Sequence, residues 1–140
     1  MDVSAIAPDH LASFLPEGLE LLHEAVKTSH GRCTVNDTIE AVYRGKKQLW
    51  AAYDDTVHGV ITTSIVEYPR IKALVMELCA GDNLSQWKGQ MLEMIEQFAR
   101  DCGCAKIEMV GRKGWERVLD HDGYRPTHFV YEKELTDGQV

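Results

Sequence analysis

The side chains best suited to chemistry in this sequence are four cysteines, six histidines and the carboxylates. Cys102 and Cys104 are separated by one residue, which is not a spacing typical of zinc ligands, and no second Cys/His pair follows at zinc-finger spacing. Cys79 has no recognisable histidine partner that would activate it as a nucleophile. The sequence therefore predicts no metal site and no catalytic cysteine.

Length and composition indicate one globular domain. The chain has 140 residues, of which 44% are hydrophobic, and a formal net charge of −7. An acidic protein of this kind lacks the basic surface that nucleic acids require, and no apolar run approaches the ~20 residues of a membrane span. We expect a cytoplasmic protein with reduced thiols, a single domain over 1–140 and a disordered tail at about 136–140.

Hydrophobic periodicity predicts four helices and six strands. The helices are expected over 15–26, between Thr34 and Gly45, over 84–102 and over 114–120. The strands are expected over 3–6, 48–53, 57–67, 71–79, 105–110 and 127–135. Thr34 and Asp37 resemble a capping box at the start of the second helix.

The order of these elements predicts a fold of the α/β (α+β) class. The strands between 48 and 79 are joined by connections too short for parallel crossovers, so they form an antiparallel meander. The helix at 84–102 joins two strands into a β-α-β unit, whose strands are parallel. We therefore expect a mixed, mostly antiparallel sheet with one central β-α-β crossover and helices on both faces.

One stretch at the start of the long helix resembles a known family. Gln86-Trp87-Lys88-Gly89-Gln90-Met91 resembles the Gln/Arg-x-x-Gly-x-Gly/Ala motif of the GNAT superfamily of acyl-CoA-dependent N-acyltransferases. The order of elements resembles the fold of that family over most of the chain, and 115–124 is similar to its short helix ending in Gly-Phe or Gly-Tyr. The resemblance implies direct acyl transfer from acetyl-CoA to a small-molecule or protein amine.

The resemblance also implies which residues bind the acyl-CoA. These are Cys79, Gln86, Trp87, Lys88, Gly89 and Gln90. A helix start attracts a pyrophosphate, glycine allows the backbone to approach it, and Lys88 adds a positive charge. We expect free amides from Trp87 to Gln90 and, as in the family, two parallel strands that splay apart, with the pantetheine arm along the strand that ends at Cys79. Trp87 either stacks near the cofactor or covers the helix start.

Glu77 is the candidate general base that the resemblance implies. It lies near the end of the strand at 71–79, beside the expected thioester, and a carboxylate can deprotonate an amine directly or through water. His58 and Glu108 are rival bases. A solvated or salt-bridged role for Glu77 also stays open.

Three residues depart from the pattern of the family. Met91 stands at the last small position of the motif, and Asp82 places a negative charge near an anion site. Leu119 stands where many members carry a tyrosine that protonates the leaving thiolate, and Tyr124 is the nearest substitute. These departures favour an alternative, a non-catalytic domain of the same fold with a degenerate acyl-CoA site.

Other stretches resemble small GNAT-like proteins encoded in phages and prophages. They are 65–70, 111–119 and 131–135. This second resemblance implies a phage structural or accessory protein, located in the host cytoplasm or the virion. A homodimer and a phage structural partner both stay open.

Overall fold

The computed structural model describes residues 1–111 and 114–135. The chain forms two compact units, Met1–Val110 and Gly111–Val140. The disordered tail predicted at about 136–140 lies outside the described residues, and the single domain over 1–140 stays a prediction. Among the helices that the structure describes, none combines the length and the apolar character needed to cross a membrane.

The first unit contains a five-stranded sheet in the order β1-β2-β3-β4-β5. The strands are β1 (Asp2–Ile6), β2 (Gln48–Tyr53), β3 (Val57–Glu67), β4 (Lys72–Gly81) and β5 (Lys106–Met109). The first three pairings are antiparallel, and β4 and β5 are parallel. The long connection between β4 and β5 permits the parallel pairing, as predicted.

Three helices belong to the first unit: α1 (Leu11–Val26), α2 (Val35–Tyr43) and α3 (Leu84–Asp101). Helix α1 begins four residues before the predicted start, so that Pro16 lies inside it. The capping box of α2 is confirmed. Thr34 Oγ1 accepts a hydrogen bond from Asp37 N–H at 3.1 Å, and an Asp37 carboxylate oxygen accepts one from Thr34 N–H at 2.9 Å.

The sheet carries helices on both faces, as predicted. On one face, Leu22 of α1 and Val42 of α2 share a buried cluster with Leu49 and Val60 of the sheet. On the other face, the ring of Trp50 packs against Phe98 of α3, with ring centroids 5.4 Å apart. Because successive side chains of a strand point to opposite faces, Leu49 and Trp50 of β2 pack against helices on opposite sides of the sheet.

The second unit contains α4 (Gly114–Leu119) and a 3₁₀ turn at Asp120–Asp122. The strand predicted over 127–135 is wrong, because no strand is found there. Its apolar side chains are exposed, with Phe129 at 73% and Tyr131 at 91%. Alternation of apolar and polar residues produces a strand only where one face is buried and the backbone finds a partner. Within the described residues this segment has neither.

Candidate functional site

The pairing of β4 with β5 stops half-way along β4. Their pairing runs from Ala73↔Lys106 to Met76↔Met109, where β5 ends, whereas β4 continues to Gly81. Within the described part of the chain, no strand pairs with this edge of β4 beyond Met76. Beyond Met76, the side of β4 that faced β5 therefore has no strand partner among the described residues.

A β-bulge in β4 coincides with the end of its pairing with β5. In the pairing of β3 with β4, Thr62 is opposite Leu78 and Thr63 is opposite Met76, so Glu77 has no partner in β3. A bulge bends its strand and increases the local twist. The bulged residue comes directly after Met76, the last residue of β4 that pairs with β5.

Glu77, the predicted general base, is the bulged residue itself. Its Oε1 lies 3.1 Å from Nζ of Lys47, in the connection between α2 and β2, and the two side chains are 29% and 25% exposed. The contact is an ion pair without hydrogen-bond alignment, since Oε1 has no hydrogen-bond partner. The structure thus places Glu77 just beyond the end of the β4–β5 pairing, in the salt-bridged arrangement that the sequence left open.

Cys79 lies two residues further along β4, opposite Ile61 of β3. Burial raises the pKa of its thiol to about 12. A thiol with this pKa is protonated throughout the neutral range, and the thiolate is the reactive form of cysteine. The raised pKa therefore argues against Cys79 as a nucleophile.

The motif residues lie inside a helix rather than in a preceding loop. Asn83 adopts a left-handed conformation (φ 51°), α3 begins at Leu84, and Gln86 N–H donates to the carbonyl of Asn83 at 2.8 Å. The expectation of free amides from Trp87 to Gln90 is therefore wrong, since amides beyond the first turn of a helix donate to its own carbonyls. The amides without an intrahelical acceptor are those of the first turn, at Leu84 and Ser85.

The outer surface of this helix start is open. The side chains of Gln86 and Gln90 are exposed, Gly89 between them is exposed, and Lys88 is half-buried. A Cβ atom added to Gly89 would meet nothing within 4 Å. Met91, the apparent departure from the motif, is fully buried and so points away from this surface.

Trp87 lies beneath the helix start, not on its outer surface. Its side chain is 1% exposed, and its Nε1–H donates to the carbonyl of Asp82 at 2.8 Å. The ring packs on Gly59 of β3, where an added Cβ would collide with it. Of the two roles left open for Trp87, the structure favours the covering of the helix start.

His58, at the start of β3, lies between two carboxylates. Its Nδ1 is 3.0 Å from Oδ1 of Asp82, and its Nε2 is 2.8 Å from Oδ1 of Asp54. The hydrogen bond to Asp82, and then the one to Asp54, raise the pKa of His58. The pKa of Asp54 is lowered, mainly by the backbone N–H of Thr56 and then by His58. With both ring nitrogens engaged, His58 has no free lone pair with which to act as a base.

The remaining rival base, Glu108 on β5, accepts a hydrogen bond from the hydroxyl of Tyr68 at 2.8 Å. This bond raises the pKa of Tyr68. Among the described residues, no three His, Cys, Asp or Glu side chains come together as metal ligands.

Comparison with known proteins gives a likeness of structure only. No protein-family profile and no curated protein matches the sequence. Among solved structures, glucosamine-6-phosphate N-acetyltransferase from Arabidopsis thaliana superposes with a TM-score of 0.71 at 15% identity, over 96% of this chain and 98% of that chain. This chain has a GNAT-like fold.

Two further structures share this GNAT-like fold. An acetyltransferase from Trypanosoma brucei has a TM-score of 0.70 at 13% identity and covers 96% of this chain and 99% of its own. An aminoglycoside acetyltransferase from an uncultured soil metagenomic sample, in complex with sisomicin, has a TM-score of 0.65 at 14% identity, with 95% and 96% covered. At such low identity these likenesses establish the fold, while activity has to be argued from the site.

Proposed function

We propose that this protein is an acyl-CoA-dependent N-acyltransferase, with acetyl-CoA as donor and a small-molecule or protein amine as acceptor. One observation carries the proposal. Among the described strands, none pairs with the β5 side of β4 from the Glu77 bulge onwards, and the same strand leads within a few residues to the open start of α3. An unpaired strand edge suits the amide groups of a pantetheine arm, and a helix N-terminus suits a pyrophosphate.

The residues at the start of α3 fit a diphosphate group. A glycine inside a helix costs about 1 kcal/mol of stability relative to alanine. At Gly89 no neighbouring atom of the protein would clash with a side chain, so packing does not explain the glycine. Close approach of a ligand is a reason for glycine at such a position. The negative charge of Asp82 is balanced by His58, so it opposes an anion less than the sequence suggests.

The start of α3 and the edge of β4 hold different parts of acetyl-CoA. The amides of Leu84 and Ser85, with Lys88 and the side chains of Gln86 and Gln90, hold the pyrophosphate across the Gly89 surface. The free edge of β4 around Cys79 binds the pantetheine arm. Acetyl-CoA supplies the acyl group as an activated thioester.

Glu77 deprotonates the acceptor amine, directly or through water. Its place at the bulge, just beyond the last β4 residue that pairs with β5, supports this role, and Lys47 holds the carboxylate. The neutral amine formed in this way attacks the thioester carbonyl, since a protonated amine has no lone pair. The C–N bond forms as the C–S bond breaks, and CoA leaves as a thiolate that takes its proton from water.

Two observations favour the alternative, a non-catalytic domain of this fold. The carboxylate of Glu77 is paired with Lys47, and Leu119, at the position of the tyrosine of the family, is a buried apolar residue. A protein of this kind would act through contacts with a partner, in the manner of a phage structural or accessory protein. The two functions differ in whether acetyl-CoA binds.

Titration calorimetry with acetyl-CoA, together with thermal unfolding, tests the proposal. A ligand at ~100 times its Kd adds about 2.7 kcal/mol to the free energy of unfolding. We expect Gly89→Glu to abolish binding, because it fills the approach surface and adds a negative charge. We expect Gly89→Ala to raise stability by about 0.5–1 kcal/mol yet weaken acetyl-CoA binding.

Gln97→Glu is the matched control for charge. It adds the same charge to the exposed side of the same helix, about 12 Å further along at ~1.5 Å per residue. We expect it to leave acetyl-CoA affinity within about twofold, since its Coulomb effect in water is small at that distance. Wild-type protein that shows no heat and no thermal shift at millimolar acetyl-CoA would contradict the proposal and support the alternative.

A further inference from the structure

Asp82, the residue just before the turn into α3, is fixed by three separate contacts. Its N–H donates to the carbonyl of His58 at 2.9 Å, and its carbonyl accepts the indole N–H of Trp87 at 2.8 Å. Its carboxylate lies 3.0 Å from Nδ1 of His58. The first two contacts do not depend on pH, whereas the third depends on the protonation of His58.

The geometry around His58 requires its charged form. Nδ1 and Nε2 each face a carboxylate oxygen, which can only accept hydrogen bonds, so each nitrogen must carry a proton. Neutral imidazole has one N–H and would turn its lone pair towards either Asp54 or Asp82. The third polar neighbour, Thr56 Oγ1, lies 3.4 Å from Nε2 and could donate to it, but Asp54 Oδ1 is closer at 2.8 Å and can only accept.

The two carboxylates belong to different parts of the fold. Asp54 lies in the tight turn between β2 and β3, and Asp82 in the connection between β4 and α3. The charged ring of His58 joins them, since its side chain is only 18% exposed and is held on both sides. The ring therefore ties the start of α3 to the β2–β3 turn and offsets the charge of Asp82.

We propose that His58 is a positioning residue that, while protonated, holds the start of α3 in the form that binds the pyrophosphate of acyl-CoA. The inference rests on the proposed function for its ligand. It concerns affinity and not the chemical step, because His58 has no nitrogen free to react. Loss of the proton leaves both carboxylates without a cationic partner, and only one of them keeps an N–H hydrogen bond from the ring.

The direction of the pH effect follows from the contacts. The pKa of His58 is raised by Asp82 and then by Asp54, so the charged form persists above the ordinary value of 6.5. The stabilisation is complete below the unfolded value and is lost as the pH rises through the raised one. The titratable groups that face His58 are the carboxylates of Asp54 and Asp82.

Nuclear magnetic resonance between pH 5.5 and 9.5 tests the positioning role without any ligand. The ring resonances of His58 report its protonation, and the indole N–H of Trp87 reports the carbonyl of Asp82. We expect His58 to titrate above 6.5 and the Trp87 indole signal to move with the same midpoint. In His58→Gln the movement of the Trp87 signal is lost.

Calorimetry with acetyl-CoA over the same pH range tests the link to the site. We expect the affinity of His58→Gln to be about tenfold weaker than wild type at pH 6.5, the order expected for one charge-assisted hydrogen bond. The ratio of the two affinities should approach one by pH 9.5, and using the ratio cancels the titration of the ligand's own phosphates. His23→Gln, on the exposed side of α1, is the matched control and should follow wild type.

Three results would overturn the inference. They are a His58 midpoint at or below 6.5, a Trp87 signal that ignores the titration of His58, and an affinity ratio that does not change with pH. If wild type binds no acetyl-CoA at any pH, the proposed function fails. The ligand-free titration then decides by itself whether His58 holds the start of α3.

Discussion

At the scale of single residues, Glu77 combines two features that rarely meet in an ordinary strand. It is the unpaired residue of a bulge, and its carboxylate is balanced by one lysine rather than by a hydrogen-bonded network. A bulge re-aims its side chain, and bulges are common next to active sites. Among Glu77, His58 and Glu108, Glu77 is the one on β4 that directly follows its last pair with β5.

We expect Glu77→Gln to slow turnover about a hundredfold, the lower end of what a general base contributes. Acetyl-CoA affinity should stay within about twofold, because Gln keeps the shape of the side chain. The measurement is the release of CoA thiol at saturating acetyl-CoA with the best acceptor from a panel of amines. Calorimetry gives the affinity of the same variant.

Glu108→Gln is the control for this experiment. It makes the same change on the neighbouring strand, where the carboxylate accepts the hydroxyl of Tyr68. We expect its turnover to remain within about twofold of wild type. Equal turnover in Glu77→Gln and wild type would remove Glu77 from the mechanism.

At the scale of elements, the start of α3 is positioned by the packing of one indole on β3. The ring of Trp87 occupies the space that Gly59 leaves on β3. Gly81 of β4 pairs with Gly59 of β3 and has a φ of 147°. It lies so close to the carbonyl of His58 that a side chain would collide with that carbonyl. This close approach fixes where β4 ends and where α3 begins.

We expect Gly59→Ala to destabilise the protein by about 1–3 kcal/mol, because the added methyl group overlaps the buried indole. Displacement of Trp87 also moves the start of α3, so acetyl-CoA affinity should fall. Urea unfolding measures the first effect and calorimetry the second.

Gly89→Ala is the matched comparison, since it adds the same methyl group at an open helical position. It should raise stability where Gly59→Ala lowers it, although both weaken binding. Unchanged stability in Gly59→Ala would show that Trp87 does not depend on that glycine.

At the scale of the whole molecule, local patterns predicted most of the fold. Strands β2 and β3 have the predicted bounds, and α3 begins at the predicted residue. These elements have strong periodicity and turns or caps at their ends, so neighbouring residues specify them. The parallel pairing of β4 and β5 follows from the same order of elements.

The site depends on features that local patterns do not contain. The bulge at Glu77 is a property of the register between β3 and β4, and the contact of His58 with Asp82 joins residues 24 positions apart. The helix over Gln86 to Gln90 is predicted, but the expectation that the amides from Trp87 to Gln90 are free is wrong, because it comes from the resemblance and not from the helix start at Leu84. The strand expected over 127–135 has the right alternation but lacks a described partner.

The most direct test of the account maps acetyl-CoA onto the protein itself. In a titration of ¹⁵N-labelled protein, we expect the largest amide shifts at Leu84, Ser85 and Gly89 and along β4 from Glu77 to Ala80. Amides of β1, at the opposite edge of the sheet, should not move. Shifts that leave both the start of α3 and the free edge of β4 unchanged would contradict the proposed site.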